Sequence, residues 1–158
     1  MYPSPTRMPE TARIEVAATL EQQLADALDL GLQLKVAHWN VKGALFVPLH
    51  ALFDELATTI ASQADTIAER AVTIGAQVHG SARHVARVSR LPDYPQETAR
   101  DMDHVRLLTE RFDEYLEGLR ESRKVAERFD DPDTYDLLTA TIRETEKAGW
   151  QLLAMLER

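Results

Sequence analysis

From His38 to Arg70 the chain reads HWNVKGALFVPLHALFDELATTIASQADTIAER. Gly43 and Pro48 bracket a short turn inside it, because glycine frees the backbone and proline removes a donor. Beyond the turn, Leu52, Leu56, Ile60, Ile67 and Ala71 keep to one side of a helical wheel. That spacing predicts a helix from about Pro48 to Ile74, ended by the glycines at Gly75 and Gly80. Before the turn, Leu20, Leu24, Ala27, Leu28, Gly31 and Leu34 recur every three or four residues, predicting a helix from about Arg13 to Trp39.

The rest of the chain repeats the pattern. Val105, Leu108, Phe112, Tyr115 and Leu119 predict a helix over roughly Pro95 to Arg128. Asp130-Asp131-Pro132-Asp133 reads as the capped start of another, since an acidic cap followed by proline suits a helix N-terminus. That last helix carries Leu138, Ile142, Thr145, Gly149, Leu152 and Leu156 and runs towards Arg158. His79 to Arg90 is a loop or short helix in the long connection, anchored by Val85 and Val88. Pro3, Pro5 and Pro9 mark residues 1–11 as a flexible tail ahead of one domain over residues 12–158. The fold class is all-α, a four-helix bundle with a short helix between its second and third long helices.

At 158 residues the chain suits a single domain, and 44% hydrophobic with 28% charged residues describes a globular protein. The absence of cysteine excludes disulfides, a thiol nucleophile and thiolate metal sites. No apolar run approaches the roughly 20 residues that a membrane helix needs. MYPSPTRMPE lacks the apolar core of a secretory signal, so a cytoplasmic location is expected. The formal charge of −8 disfavours a general polyanion binder and suits attraction of cations.

Within the quoted stretch stand His38, His50, Asp54, Asp65 and Glu69, an imidazole–carboxylate set fitting iron or zinc. Taken singly, each is an ordinary polar residue of a helix. Their spacing says more. His50 and Asp54 lie one turn apart, as do Asp65 and Glu69, and both pairs share a broad stripe. Asp54 and Asp65 are nevertheless about 16 Å apart along the axis, at about 1.5 Å per residue. Metal–ligand bonds near 2 Å cannot bridge that gap, so one chain holds two half-sites. The pairs 50/69 and 54/65 share a midpoint between Thr59 and Ile60. An antiparallel two-fold crossing there would set His50 and Asp54 of one chain opposite Asp65 and Glu69 of its copy, producing two equivalent sites.

These residues resemble the Dps family, the DNA-protection-during-starvation mini-ferritins. His38-Trp39-Asn40 followed by Gly43, then Leu49-His50, Asp54, Asp65 and Ala68-Glu69-Arg70, match the family's ferroxidase signature in type and spacing. The resemblance extends from the first helix to Trp150. It implies a ferritin-like bundle and a hollow dodecamer. It also implies iron sites built from His38, His50 and Asp54 of one subunit with Asp65 and Glu69 of its two-fold mate. Such sites oxidise Fe(II), preferably with hydrogen peroxide, and ferric mineral is stored inside, which protects DNA from oxidative damage. Zinc is an expected competitor for the same ligands.

The resemblance also sets a place for other residues. Trp39 is either interface packing or a neighbour of the iron site, and Lys35 and Lys42 are candidates to hold its carboxylates. Asp130, Asp131, Asp133 and Asp136 exceed what capping requires, and the family places this segment near three-fold pores that admit iron. His79, Arg83, His84, Arg87 and Arg90 form the one basic run, with an intramolecular acidic partner expected for it. No histidine has a glutamate three residues before it, which disfavours an intrasubunit di-iron centre. The alternative is a DNA-compacting nucleoid protein with a secondary iron site. Basic tails, the usual tethers, are missing, so DNA binding is expected to be weak or absent.

Overall fold

A computed structural model describes residues 1–156. Its helices are α1 (Glu10–Asn40), α2 (Phe46–Thr73), α3 (Ala82–Val88), α4 (Asp101–Arg128) and α5 (Pro132–Ala154). Among the described residues there is no strand, only an isolated bridge between Lys42 and Arg100. None of these helices is long and apolar enough to cross a membrane. The sequence-based expectation that the last helix runs on towards Arg158 falls partly on residues 157–158, outside the described part.

The core is one apolar cluster drawn from all four long helices. Leu20, Leu30 and Leu34 of α1 meet Phe53, Ile60 and Ile67 of α2, with Leu108, Phe112 and Tyr115 of α4 and Leu138 and Leu152 of α5. Helices α1 and α2 form one antiparallel hairpin, and α4 and α5 form the other. The connection from Ile74 to Arg100 travels the length of the bundle and delivers α4 parallel to α2. Polar side chains of α1 pin it on the way. Gln22 Nε2 donates to the Val88 carbonyl at 2.8 Å, Ser89 Oγ to Asp29 at 2.5 Å, and Gln33 Nε2 to the Pro92 carbonyl at 3.1 Å. Asp26, only 1% exposed, accepts from the Arg90 amide at 2.9 Å and from its guanidinium. Gly118 leaves the space, since a Cβ there would sit 2.3 Å from Arg90 Nη2.

Helix α4 starts at Asp101, not near Pro95 as the sequence suggested. The cause is long-range pairing: the Lys42 amide donates to the Ala99 carbonyl at 2.8 Å, and the Asp101 amide to the Lys42 carbonyl at 2.9 Å. These bonds hold the chain out of the helix up to Arg100, which is extended at φ −75° and ψ 138°. The Asp101 carboxylate then accepts from the Leu45 amide at 3.1 Å, just before α2, and lies below the usual carboxylate range because backbone amides stabilise its charge. Proline at N1 and the Asp131 cap open α5 as its sequence implied.

His104 is wholly buried. Its Nδ1 lies 2.6 Å from the Tyr94 hydroxyl, its ring stacks on that phenol, and Phe53 meets it edge-on. Its Nε2 has no partner among the described residues. Burial pulls the imidazole below its ordinary value, with the neighbouring Asp103 charge opposing weakly. The unfolded chain therefore takes up this proton first on acidification. Stability is full above about pH 6.5 and falls as pH drops towards the lower folded-state value. Thermal melts should show this loss in wild type, and His104→Phe should flatten it between pH 7 and 5. An equal slope in the variant would assign the loss to other groups.

Candidate metal centre

The last turns of α1 carry Lys35, His38 and Trp39, and the first turns of α2 carry His50 and Asp54. The short turn between the helices brings the two imidazoles together, stacked with ring centroids 3.7 Å apart. Each ring bonds to the other helix's backbone: His38 Nδ1 lies 2.7 Å from the His50 carbonyl, and His50 Nδ1 lies 2.8 Å from the His38 carbonyl. A carbonyl only accepts, so both Nδ1 atoms carry the proton, and in the neutral form of each ring the lone pair is on Nε2. This is the tautomer that a metal ligand needs, fixed before any metal arrives.

Lys35 Nζ lies 2.6 Å from Asp54 Oδ1 and 6.0 Å from the centre of the Trp39 ring. The hydrogen bond and charge of Lys35 hold the Asp54 carboxyl below its ordinary range, and the two histidines act weakly in the same direction. Asp54 is therefore a carboxylate near neutral pH, with one oxygen committed to an ammonium. Trp39 is 65% exposed, so within one chain it packs into no core.

Asp65 and Glu69 stand exposed further along α2. Neither carboxylate takes part in a hydrogen bond or ion pair among the described residues. No three histidine, aspartate or glutamate side chains converge to hold a metal there. His38 and His50 are thus brought together, Asp54 stands one turn further along α2 on Lys35, and Asp65 and Glu69 are not brought to them. Between the two half-sites, Leu28, Gly31 and Leu32 of α1 face Ala57, Thr58 and Ala61 of α2 across an open, largely apolar groove of about 440 Å³, with Lys35 and Asp54 on its wall. The two-fold midpoint inferred from the sequence lies beside this groove.

Comparison with known proteins gives the family. Residues 17–158 match the model of the ferritin-like domain. The DNA protection during starvation protein of Agrobacterium fabrum is 35% identical over 150 residues, covering 95% of this chain and 93% of the relative. This chain belongs to the Dps family. The tetragonal form of Mycobacterium smegmatis Dps superposes with a TM-score of 0.93 at 30% identity, covering 100% of this chain and 95% of that one. A Dps protein of Vibrio cholerae, described as a member of a broad superfamily of ferritin-like diiron-carboxylate proteins, superposes with a TM-score of 0.93 at 26% identity, covering 99% and 98%.

The acidic cluster of this Dps-family chain has two parts. Asp131 is buried, accepts from the Thr134 amide at 3.2 Å and from its hydroxyl, and pairs with Arg70 Nη2 at 2.8 Å. It is a cap and an anchor for the end of α2, which takes it out of the group free to attract cations. Asp130, Asp133 and Asp136 remain exposed, Asp133 with 83% of its side chain in solvent and 4.0 Å from Arg70. Asp130 adopts a left-handed φ of 51° where the chain turns into α5. In the basic run, Arg90 is bound by Asp26 and His84 Nε2 lies 3.8 Å from Glu21, beyond hydrogen-bond reach, while His79, Arg83 and Arg87 show no acidic partner among the described residues, so the expected pairing holds for Arg90 alone. Arg70 stands in the quoted signature, but its link to Thr134 and Asp131 has no counterpart in the sequence reading. The only signal was an arginine beside Glu69 in the last turn of α2, where a cation suits the helix dipole.

Proposed function

We propose that this Dps-family chain oxidises Fe(II) at sites shared by two subunits and stores ferric iron in a hollow homo-oligomeric shell, a dodecamer. The observation that carries this is the locked pair of imidazoles, both Nε2 lone pairs free, on a chain whose remaining carboxylates are out of reach. A second copy crossing α2 at the groove supplies Asp65 and Glu69 to His38, His50 and Asp54. Neutral imidazoles bind Fe(II), and three carboxylates offset the extra charge of Fe(III), so the ligand set favours the oxidised product. Hydrogen peroxide is the proposed oxidant: two Fe(II) each give one electron, and peroxide with two protons leaves as two waters. Consuming peroxide two electrons at a time protects DNA without releasing hydroxyl radical. The site is cytoplasmic in this reading, and zinc competes for it.

Anaerobic titration with Zn(II) tests the proposal. Two equivalent sites per two-fold pair should fill, and His50→Ala or Asp65→Asn should each abolish them. Binding untouched by both variants would overturn it.

Asp130, Asp133 and Asp136, repeated around a three-fold axis, would focus negative potential where iron is admitted. Replacing all three by Asn should slow iron uptake several-fold and flatten its dependence on salt, because screening weakens exposed attraction. Zinc affinity at the oxidation site should be unchanged. Uptake that matches wild type at every salt concentration would return these residues to a purely local role. DNA binding is weak or absent in this reading, since −8 charges per subunit repel phosphate.

A further inference from the structure

The closing turn of α2 is finished by a distant piece of chain. A helix end leaves its last carbonyls without intrahelical donors. Here the Arg70, Ala71 and Val72 carbonyls take the Ile74, Ala76 and Gly75 amides at 3.1, 3.0 and 2.9 Å. The next three carbonyls are met by the segment from Tyr2 to Arg13. Ser4 Oγ donates to Thr73 at 2.6 Å, Arg13 Nη1 to Ile74 at 3.2 Å, and the Tyr2 amide to Gly75 at 2.7 Å. Arg13 Nη1 also donates to the Tyr2 carbonyl at 3.1 Å, and the Tyr2 hydroxyl to Gln77 at 3.2 Å. Gly75 sits at φ +95°, and a Cβ there would fall 2.5 Å from the Tyr2 carbonyl oxygen, so the segment can pass only over a glycine.

We propose that Tyr2, Ser4 and Arg13 form a clamp that positions Glu69, the carboxylate half of the iron site. The inference rests on the intersubunit reading of that site. Thr73, whose carbonyl the clamp holds, donates its own hydroxyl to the Glu69 carbonyl at 2.7 Å. The Glu69 carboxylate has no partner among the described residues, so its place is set by the backbone beneath it alone. Helix ends open locally at little cost, and one lost turn reaches Glu69 from Thr73. Ligands must be held to about 0.5 Å, so an unclamped end would spread Glu69 over many positions. Arg70, the cation best placed to hold these carbonyls, is turned away to Asp131 and Thr134. The histidine half needs no such support, being locked by its own reciprocal bonds. Tyr2, Ser4 and Arg13 are therefore positioning residues, and the segment they fix is a working part of the bundle.

The test uses the assembled full chain. Gly75→Ala and the double variant Ser4→Ala/Arg13→Gln should each weaken Zn(II) binding by calorimetry about tenfold, the scale of a lost supporting contact around a metal ligand. Apparent KM for Fe(II) should rise more than kcat falls. Amide exchange should accelerate over residues 70–76 and stay unchanged over residues 36–54. Arg13→Lys, which keeps a donor, should restore much of the affinity. Faster exchange at 70–76 with wild-type zinc affinity would overturn the clamp's role, as would exchange accelerated throughout the bundle. Glu69→Gln is the separate control: zinc binding indifferent to it would sink the site reading itself, whatever the clamp variants do.

Discussion

Subunits carrying His38→Ala and subunits carrying Asp65→Ala, each nearly inactive alone, should recover rapid Fe(II) oxidation when assembled together. The arithmetic follows from two-fold symmetry. In a mixed pair, one site joins the two damaged halves and the other joins two intact halves. With random mixing, half the pairs are mixed, so about a quarter of all sites are wild type. The shell should regain about a quarter of the native rate, measured by stopped-flow absorbance at equal iron loading. Recovery needs co-refolding, since exchange between closed shells would be slow. A mixed shell as inactive as its parents, with mixed pairs verified by mass spectrometry, would show that the ligands act within one chain. Each parent should lose orders of magnitude in rate, because a site missing an imidazole or a carboxylate no longer balances Fe(III) charge.

The largest stability effect is expected far from the metal. Arg90→Ala leaves Asp26 buried in the bundle with no cation to answer it. Breaking a buried pair from one side costs about 3–5 kcal/mol; with the Arg90 side chain 47% exposed the cost falls to the low end of that range, and the backbone bond from residue 90 cannot compensate a full charge. For a chain of this size that corresponds to a melting temperature lower by roughly 10 °C. Asp26→Asn added to Arg90→Ala should recover a good part of the loss, because the stranded charge is gone. A single variant that melts with wild type would mean that water reaches Asp26. The pair also fastens the long connection to α1, so the single variant should expose residues 74–100 to protease.

The long helices were legible because their apolar residues repeat at helical spacing, as Leu20 to Leu34 and Val105 to Leu119 do. The separation of Asp54 from Asp65 was legible too, since the rise per residue alone sets it. The start of α4 was not. It depends on Lys42, more than fifty residues away, pairing with residues 99–101. Lys35 and Asp54 likewise meet only because α1 and α2 fold back on one another. Asp131 could not be told from Asp130, Asp133 and Asp136, since burial by Arg70 and Thr134 is a tertiary fact. Residues 1–11 read as a flexible tail, yet Tyr2 and Ser4 bond to carbonyls at the far end of α2 and α1 already begins at Glu10; nothing in MYPSPTRMPE signals this, because serine and tyrosine are common in unattached chain.

One consequence of the separated half-sites concerns timing. A newly made, solitary subunit has its histidines ready and its carboxylates exposed, yet on the intersubunit reading it is chemically silent. Oxidising power would appear only as subunits pair, rising with the square of their concentration when chains are scarce. Ferric product would then not form on a lone subunit. Dilution should silence the protein reversibly, at the concentration where the pairs come apart.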